Sequence, residues 1–231
     1  MEVYEEHKKN LSLLRTDELR TVGRSKREFK KELRFVKEAS DLFLETFGVL
    51  SSQNVQAFSN SKDACYRISY RIFRVARCAF KSSLEGYYDV SFALLRIAYE
   101  NHLLMTYLTK NEKEAELWFG GKKFKPKFIR EKVSYADDSL YKEMSEFIHS
   151  SFRSTLAFTE VEKGKTKAIL GEYSKESLGN MLLLILMTMT ATIIWLSSTF
   201  AEIMDNEEWH SSFRKTVPKI WKYLKKQNIK S

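Results

Sequence analysis

Arg96, Glu100 and His102 fall close together in the stretch Asp89–Leu108, DVSFALLRIAYENHLLMTYL, whose other residues are mostly apolar. An arginine can clamp a phosphate, a carboxylate can orient a partner, and a histidine can move a proton near neutral pH. Charge buried in an apolar helix is costly unless it is paired. Arg96 and Glu100 are one turn apart and share a face, but arginine before glutamate is the weaker order for stabilising a helix locally. The pair therefore either fixes the register of a helical bundle through partners on another helix or belongs to a polar site. His102, six residues beyond Arg96, lies about 240° around the same helix, so the two converge only across a dimer axis.

The elements that must position these residues are helices. The chain has 231 residues, 43% of them hydrophobic, with 2 Pro and 8 Gly, enough apolar material for a sizeable core and few breakers. One all-α domain, a bundle of five to seven helices, is the simplest account. Residues 1–22 read as a polar arm or short helix. From Ser25, apolar residues at Phe29, Leu33, Val36, Phe43 and Phe47 recur at helical spacing, fading near Gly48–Ser52. Asp63–Leu84, with Ser61 as cap, has an apolar face of Ile68, Ile72, Val75, Ala76 and Ala79. Asp89–Leu108, apolar nearly all round, should be buried. Asn111–Phe119 reads as a short helix, Gly120–Lys132 as a loop and short helix, and Asp137–Ser151 as a helix capped by Asp137 or Asp138. Phe158–Tyr173 reads as a loop or short hairpin. Ser174 opens the last long helix, with its core at Ser177–Ile203. Phe213–Lys230 is a basic terminal segment in which Pro218 is tolerable in a first turn.

Ser177–Ala201 contains no charged residue and is long enough to span a bilayer. Its threonines and serines, and the mixed charges on both flanks, favour a buried bundle helix over a single-pass anchor. Cys65 and Cys78 are about 20 Å apart along one helix, too far to bond, and read as free thiols of a cytoplasmic protein. There is no Cys/His pair at zinc spacing, no carboxylate pair at metal spacing, no phosphate-cradling Gly loop and no Gly-x-Ser-x-Gly elbow, so no cofactor or metal is expected.

The formal net charge of +9 favours a polyanionic partner, either nucleic acid or an acidic membrane face, and leaves room for an acidic protein partner. Two basic–aromatic patches fit that partner. Arg67, Arg71, Arg74, Arg77 and Lys81 line one side of Asp63–Leu84 beside Tyr66, Tyr70 and Phe73, combining charge with stacking surfaces as single-strand binders do. Gly120–Lys132 holds six basic residues and two phenylalanines more loosely. The alternative for each patch is a solvated face whose aromatics pack inward.

Arg96-x5-His102 has the spacing of the Arg-x(4–6)-His signature of HEPN ribonuclease domains, and this part of the chain resembles that all-helical superfamily. The resemblance implies metal-independent RNA cleavage in a homodimer, with Arg96 on the scissile phosphate and a histidine moving the proton of the ribose 2′-hydroxyl. A second resemblance covers about residues 60–200. LLRIAYENHLLMTYL followed by YKEMSEFIHSSFRS is similar to an uncharacterised prokaryotic helical family with an Arg-x3-Glu helix and a later Tyr-x2-hydrophobic-Ser-x3-His segment, here Arg96, Glu100, Tyr141, Ser145 and His149. Some related helical domains are associated with phage-defence or toxin loci, which implies such a setting. The Ser145/His149 face should meet the Arg96/Glu100 face, with Glu100 bonding His149 or pairing with Arg153. The leading expectation is an RNA-binding or RNA-cleaving protein. Arg96, Glu100, His102 and His149 are its candidate catalytic residues, and the Arg67–Lys81 stripe holds the strand. The rivals are a non-catalytic interaction protein with a structural polar cluster and a membrane-anchored effector.

Overall fold

A computed structural model describes residues 2–52, 58–148, 159–162, 165–168 and 173–227. Nine helices and one hairpin appear among them: α1 (Glu2–Glu28), α2 (Lys30–Ser51), α3 (Asn60–Leu84), α4 (Tyr88–Thr109), α5 (Glu112–Phe119), α6 (Pro126–Lys132), α7 (Asp138–Ile148), β1 (Thr159–Glu162), β2 (Lys165–Ala168), α8 (Lys175–Thr199) and α9 (Glu207–Lys226). The fold is an all-α multi-helix bundle, with more helices than the five to seven expected. The strands pair antiparallel, Thr159 opposite Ala168 and Glu162 opposite Lys165, so the Phe158–Tyr173 segment contains a hairpin.

The core is built by α2, α3, α4, α8 and α9. Helix α8 runs through it, packed against α2, α3, α4 and α9. Leu178, Met181, Leu182, Ile185, Leu186, Met189, Ile193 and Leu196 are sealed from solvent, which accounts for one side of the uncharged stretch, while Leu183, Leu184 and Met187 are half-buried and Ile194 is exposed. It is also the one helix among the described residues long and apolar enough to cross a membrane. Phe43 on α2 stacks on Phe73 of α3 with ring centroids 4.7 Å apart, both buried. Truncating such a ring costs about 3–5 kcal/mol.

Helices α3 and α4 form the hairpin that carries the candidate residues. Gly86, at φ 92°, turns the chain between them in a conformation that side chains resist. Buried Ala76, Ala79 and Ala98 keep the interface thin, and Ser91 Oγ donates to Ala79 O at 2.9 Å. A small satellite core of Leu103, Ile129 and Val133 seats α6 on α4.

Several boundaries differ from expectation. The N-terminal segment is one 27-residue helix, and the next begins at Lys30 rather than Ser25. Phe29, at φ −113° and ψ 34°, breaks the helical geometry while its N–H and C=O still bond Ser25 O and Leu33 N. Ser59, not Ser61, caps α3, accepting from Lys62 N. Helix α9 starts at Glu207 because Asn206 Oδ1 caps Trp209 N at 2.8 Å. Pro218 consequently lies inside that helix, where it cannot donate to the Arg214 carbonyl, rather than in its first turn. Helix α4 is not buried all round: Val90 and Ile97 are exposed.

Candidate functional site

Arg96 and Glu100 do not point into open solvent. Arg96 Nε donates to Glu100 Oε1 at 3.1 Å, with side chains 16% and 27% exposed. Arg96 Nη2 donates to Tyr141 Oη at 2.6 Å, and its guanidinium also lies over that ring, 4.7 Å from the centroid. Helices α4 and α7 meet at Tyr141, whereas the expected contact was of Glu100 with His149 or Arg153. Arg130 of α6 covers the Tyr141 ring at 3.7 Å and bonds Asp138 Oδ1 at 2.7 Å. Tyr99 of α4 accepts from the Asp137 backbone N–H at 2.6 Å. Tyr99, Arg96 and Arg130 thus hold the start of α7 against α4 and α6. Asp137 caps α7, accepting from Ser139 N at 2.8 Å. Ser145 is turned to its own helix, donating to Tyr141 O at 2.6 Å. His149 and Arg153 lie outside the described residues.

His102 is not brought to this cluster. Its Nδ1 is 3.3 Å from Thr192 Oγ1 on α8, on the other side of α4. Thr192 spends its hydroxyl proton on Thr188 O at 2.8 Å, so Nδ1 must carry the proton that Thr192 accepts. Burial pulls the His102 pKa down to about 4, leaving the ring neutral near pH 7. Thr106 Oγ1 donates to His102 O at 3.0 Å and is also bonded to Tyr135 Oη. Arg96 and His102 thus face different neighbours, as their rotation around the helix requires.

The basic stripe is solvent-facing. Arg67, Arg71, Arg74, Arg77 and Lys81 are all exposed. Arg67 is held by Asp63 through bonds of 2.8 and 2.9 Å. Among the described residues, Arg71, Arg74, Arg77 and Lys81 have no carboxylate partner, and Arg77 lies 5.9 Å over the Phe73 ring. Tyr70 is 49% exposed, whereas Phe73 is buried and Tyr66 packs on the core. Of Tyr66, Tyr70 and Phe73, Tyr70 is therefore the one with most of its ring available, its contact with Phe47 being edge-on at 5.4 Å. Arg67, Tyr70, Arg71, Arg74, Val75 and Cys78 of α3 and Leu94 of α4 line an open groove of about 500 Å³. Arg71 also borders a second cleft of about 230 Å³ between α4 and α6 that includes Glu100 and Arg130. The groove and the Arg96 cluster thus lie on one surface.

In the Gly120–Lys132 patch, Lys122 pairs with Glu114 at 2.7 Å, and Phe124 and Phe128 stack edge-on against Tyr107. These aromatics pack against α4, while Lys123, Lys125, Lys127 and Lys132 are exposed. Arg130 was legible only as one more basic residue of this patch. Its place beside Tyr141 depends on α6 folding back over α4, which local spacing does not encode. No group of His, Cys, Asp and Glu among the described residues is arranged to hold a metal ion. Compared with known protein families, curated proteins and solved structures, the chain matches none.

Proposed function

We propose that this protein binds single-stranded RNA along the α3 face. What supports the reading is the set of exposed guanidinium groups, Arg71 and Arg74 foremost, that lack carboxylate partners among the described residues, in a groove beside an exposed Tyr70. Unpaired cations track a phosphate backbone, and an aromatic face stacks bases without regard to sequence. Duplex RNA offers no unstacked base to Tyr70, which favours a single strand. An acidic protein would satisfy the cations but gives the tyrosine face no base to stack on.

Cleavage is the finer form of this proposal. It would require a histidine beside Arg96. His102 is turned toward α8 and held neutral, and Arg96 already serves Glu100 and Tyr141. Those contacts favour binding over cleavage as the role of the described residues. A homodimer and a place in phage defence or a toxin pair belong to the cleaving form.

Cys78 offers a direct test, because it lies exposed in the groove while Cys65 is buried. Burial also pushes the Cys65 thiol up to about 11, so it stays unreactive. A saturating U-rich single strand should slow maleimide labelling of Cys78 at least about fivefold. Bound RNA with an unchanged labelling rate would move the interface elsewhere.

A further inference from the structure

The cleft beside the groove carries chemistry that a plain phosphate track does not need. It measures about 230 Å³, below the roughly 300–1,000 Å³ of a drug-sized ligand site. Its walls are apolar, from Ile97 and Leu104 of α4 and Phe124 before α6. Its polar groups come from both sides of the hydrogen-bonding repertoire. Glu100 gives Oε1 to Arg96, while Oε2 has no hydrogen bond among the described residues. Asn101 donates Nδ2 to Ile97 O at 2.6 Å, which leaves its Oδ1 as an acceptor. Arg71 stands at the border shared with the groove, as a cation without a carboxylate partner among the described residues.

We propose that this cleft is a guanine subsite, taking a guanine base with its phosphate on Arg71, either as a free nucleotide or within a strand lying on α3. Glu100 Oε2, with the second lone pair of the Oε1 that Arg96 already bonds, offers two adjacent acceptors to two adjacent donors, and of the four RNA bases only guanine shows such a pair, N1–H and N2–H, on its pairing edge. Guanine O6 is an acceptor beside those donors, and Arg130 lines the cleft with a guanidinium that has N–H donors beyond the Nε bonded to Asp138. Adenine and cytosine offer one amino group beside an acceptor, and uracil one N–H between two acceptors. Each would leave Glu100 facing a lone pair, the kind of mismatch that polar sites reject most strongly. Phe124 adds an aromatic side chain to the cleft wall, backed by Phe128 at 6.3 Å with the Lys122 ammonium 5.0 Å from its ring. The subsite deepens the proposed RNA binding, since a base held there would fix the register of a strand that the α3 face otherwise grips without preference.

The test is fluorescence anisotropy on the full chain with labelled seven-nucleotide strands, one all uridine and one with a single central guanosine, and with GMP as competitor. The guanosine strand should bind at least about tenfold tighter. Replacing that guanosine by inosine, which lacks the N2 amine, should remove most of the gain with the protein unaltered. Glu100→Gln should abolish the preference and leave uridine-strand affinity within about twofold, and Phe124→Ala should weaken the guanosine strand alone. GMP displacing a labelled guanine nucleotide, but no binding of either strand, would keep the subsite as a nucleotide pocket and overturn the RNA reading. Equal affinity for both strands, or a guanosine preference that survives both inosine and Glu100→Gln, would overturn the subsite while leaving α3 binding intact.

Discussion

Removing the Arg96 guanidinium leaves the Glu100 carboxylate and the Tyr141 hydroxyl without the group they share. Both charged side chains are less than a third exposed, so the loss is only partly repaired by water. Arg96→Ala is expected to cost roughly 1–3 kcal/mol. At this chain length that lowers the melting temperature by about 2–4 °C per kcal/mol. Tyr141→Phe, which keeps the ring between Arg96 and Arg130, should cost less. Unchanged melting in Arg96→Ala would mean that the cluster does not anchor α7. His102 makes a pH-dependent contribution of definite sign. Its folded pKa of about 4 lies below the ordinary 6.5, so the unfolded chain takes up a proton first. That stability is complete above pH 6.5 and is lost as pH falls toward 4, by up to about 1.4 kcal/mol per pH unit. Urea melts at pH 7 and pH 5 should show the loss. His102→Gln, which can still bond Thr192 without titrating, should flatten it.

Three tyrosine–glutamate bonds tie α1 and α2 to the rest of the bundle. Tyr87 donates to Glu18, Tyr173 to Glu28 at 2.7 Å and Tyr223 to Glu32 at 2.5 Å. The Glu18 bond, with burial, raises Tyr87 to about 12, and burial followed by the Glu28 bond raises Tyr173 to about 12. A phenol whose folded pKa exceeds its ordinary 10 gives stability that is complete below pH 10 and is lost as pH rises through 12. The Tyr87→Phe, Tyr173→Phe double variant should therefore lose less stability than the parent between pH 10 and pH 12, measured by denaturant melts. For α8, the sealed apolar side chains predict recovery in the soluble fraction of a lysate without detergent; quantitative recovery with the membrane pellet would instead favour a spanning helix.

At this scale the sequence was most readable where one helix decides its own outcome. Ile68, Ile72, Ala76 and Ala79 are buried as their spacing required, while Val75 is only half-buried because it borders the groove. Ser174 caps α8 as expected, accepting from Ser177 N. The Asn206-Glu207-Glu208 start of α9 was a legible cap signal that the basic tail obscured. What local pattern could not carry was tertiary: the exposed Val90 and Ile97 on a helix of uniform apolarity, and the return of α6 that brings Arg130 and Phe124 over α4.

For the whole molecule, the net charge of +9 matters less than where its uncompensated part lies. Much of the surface is laced by one-turn ion pairs such as Lys37–Asp41 and Arg24–Glu28, whose cations are already answered. Among the described residues Arg71, Arg74 and Lys81 are not, and they share one helix over about 15 Å of its length. The same scaffold that buries α8 leaves this face bare. The decisive measurement is the salt dependence of binding to a labelled single-stranded RNA, comparing the parent with an Arg71→Ala, Arg74→Ala double variant of unchanged melting temperature. Each lost phosphate contact should reduce the slope of log affinity against log salt by about 0.7, so the double variant should lose about 1.4 and bind more weakly throughout. Identical slopes and affinities in parent and variant would contradict the assignment of α3 as the RNA-binding face.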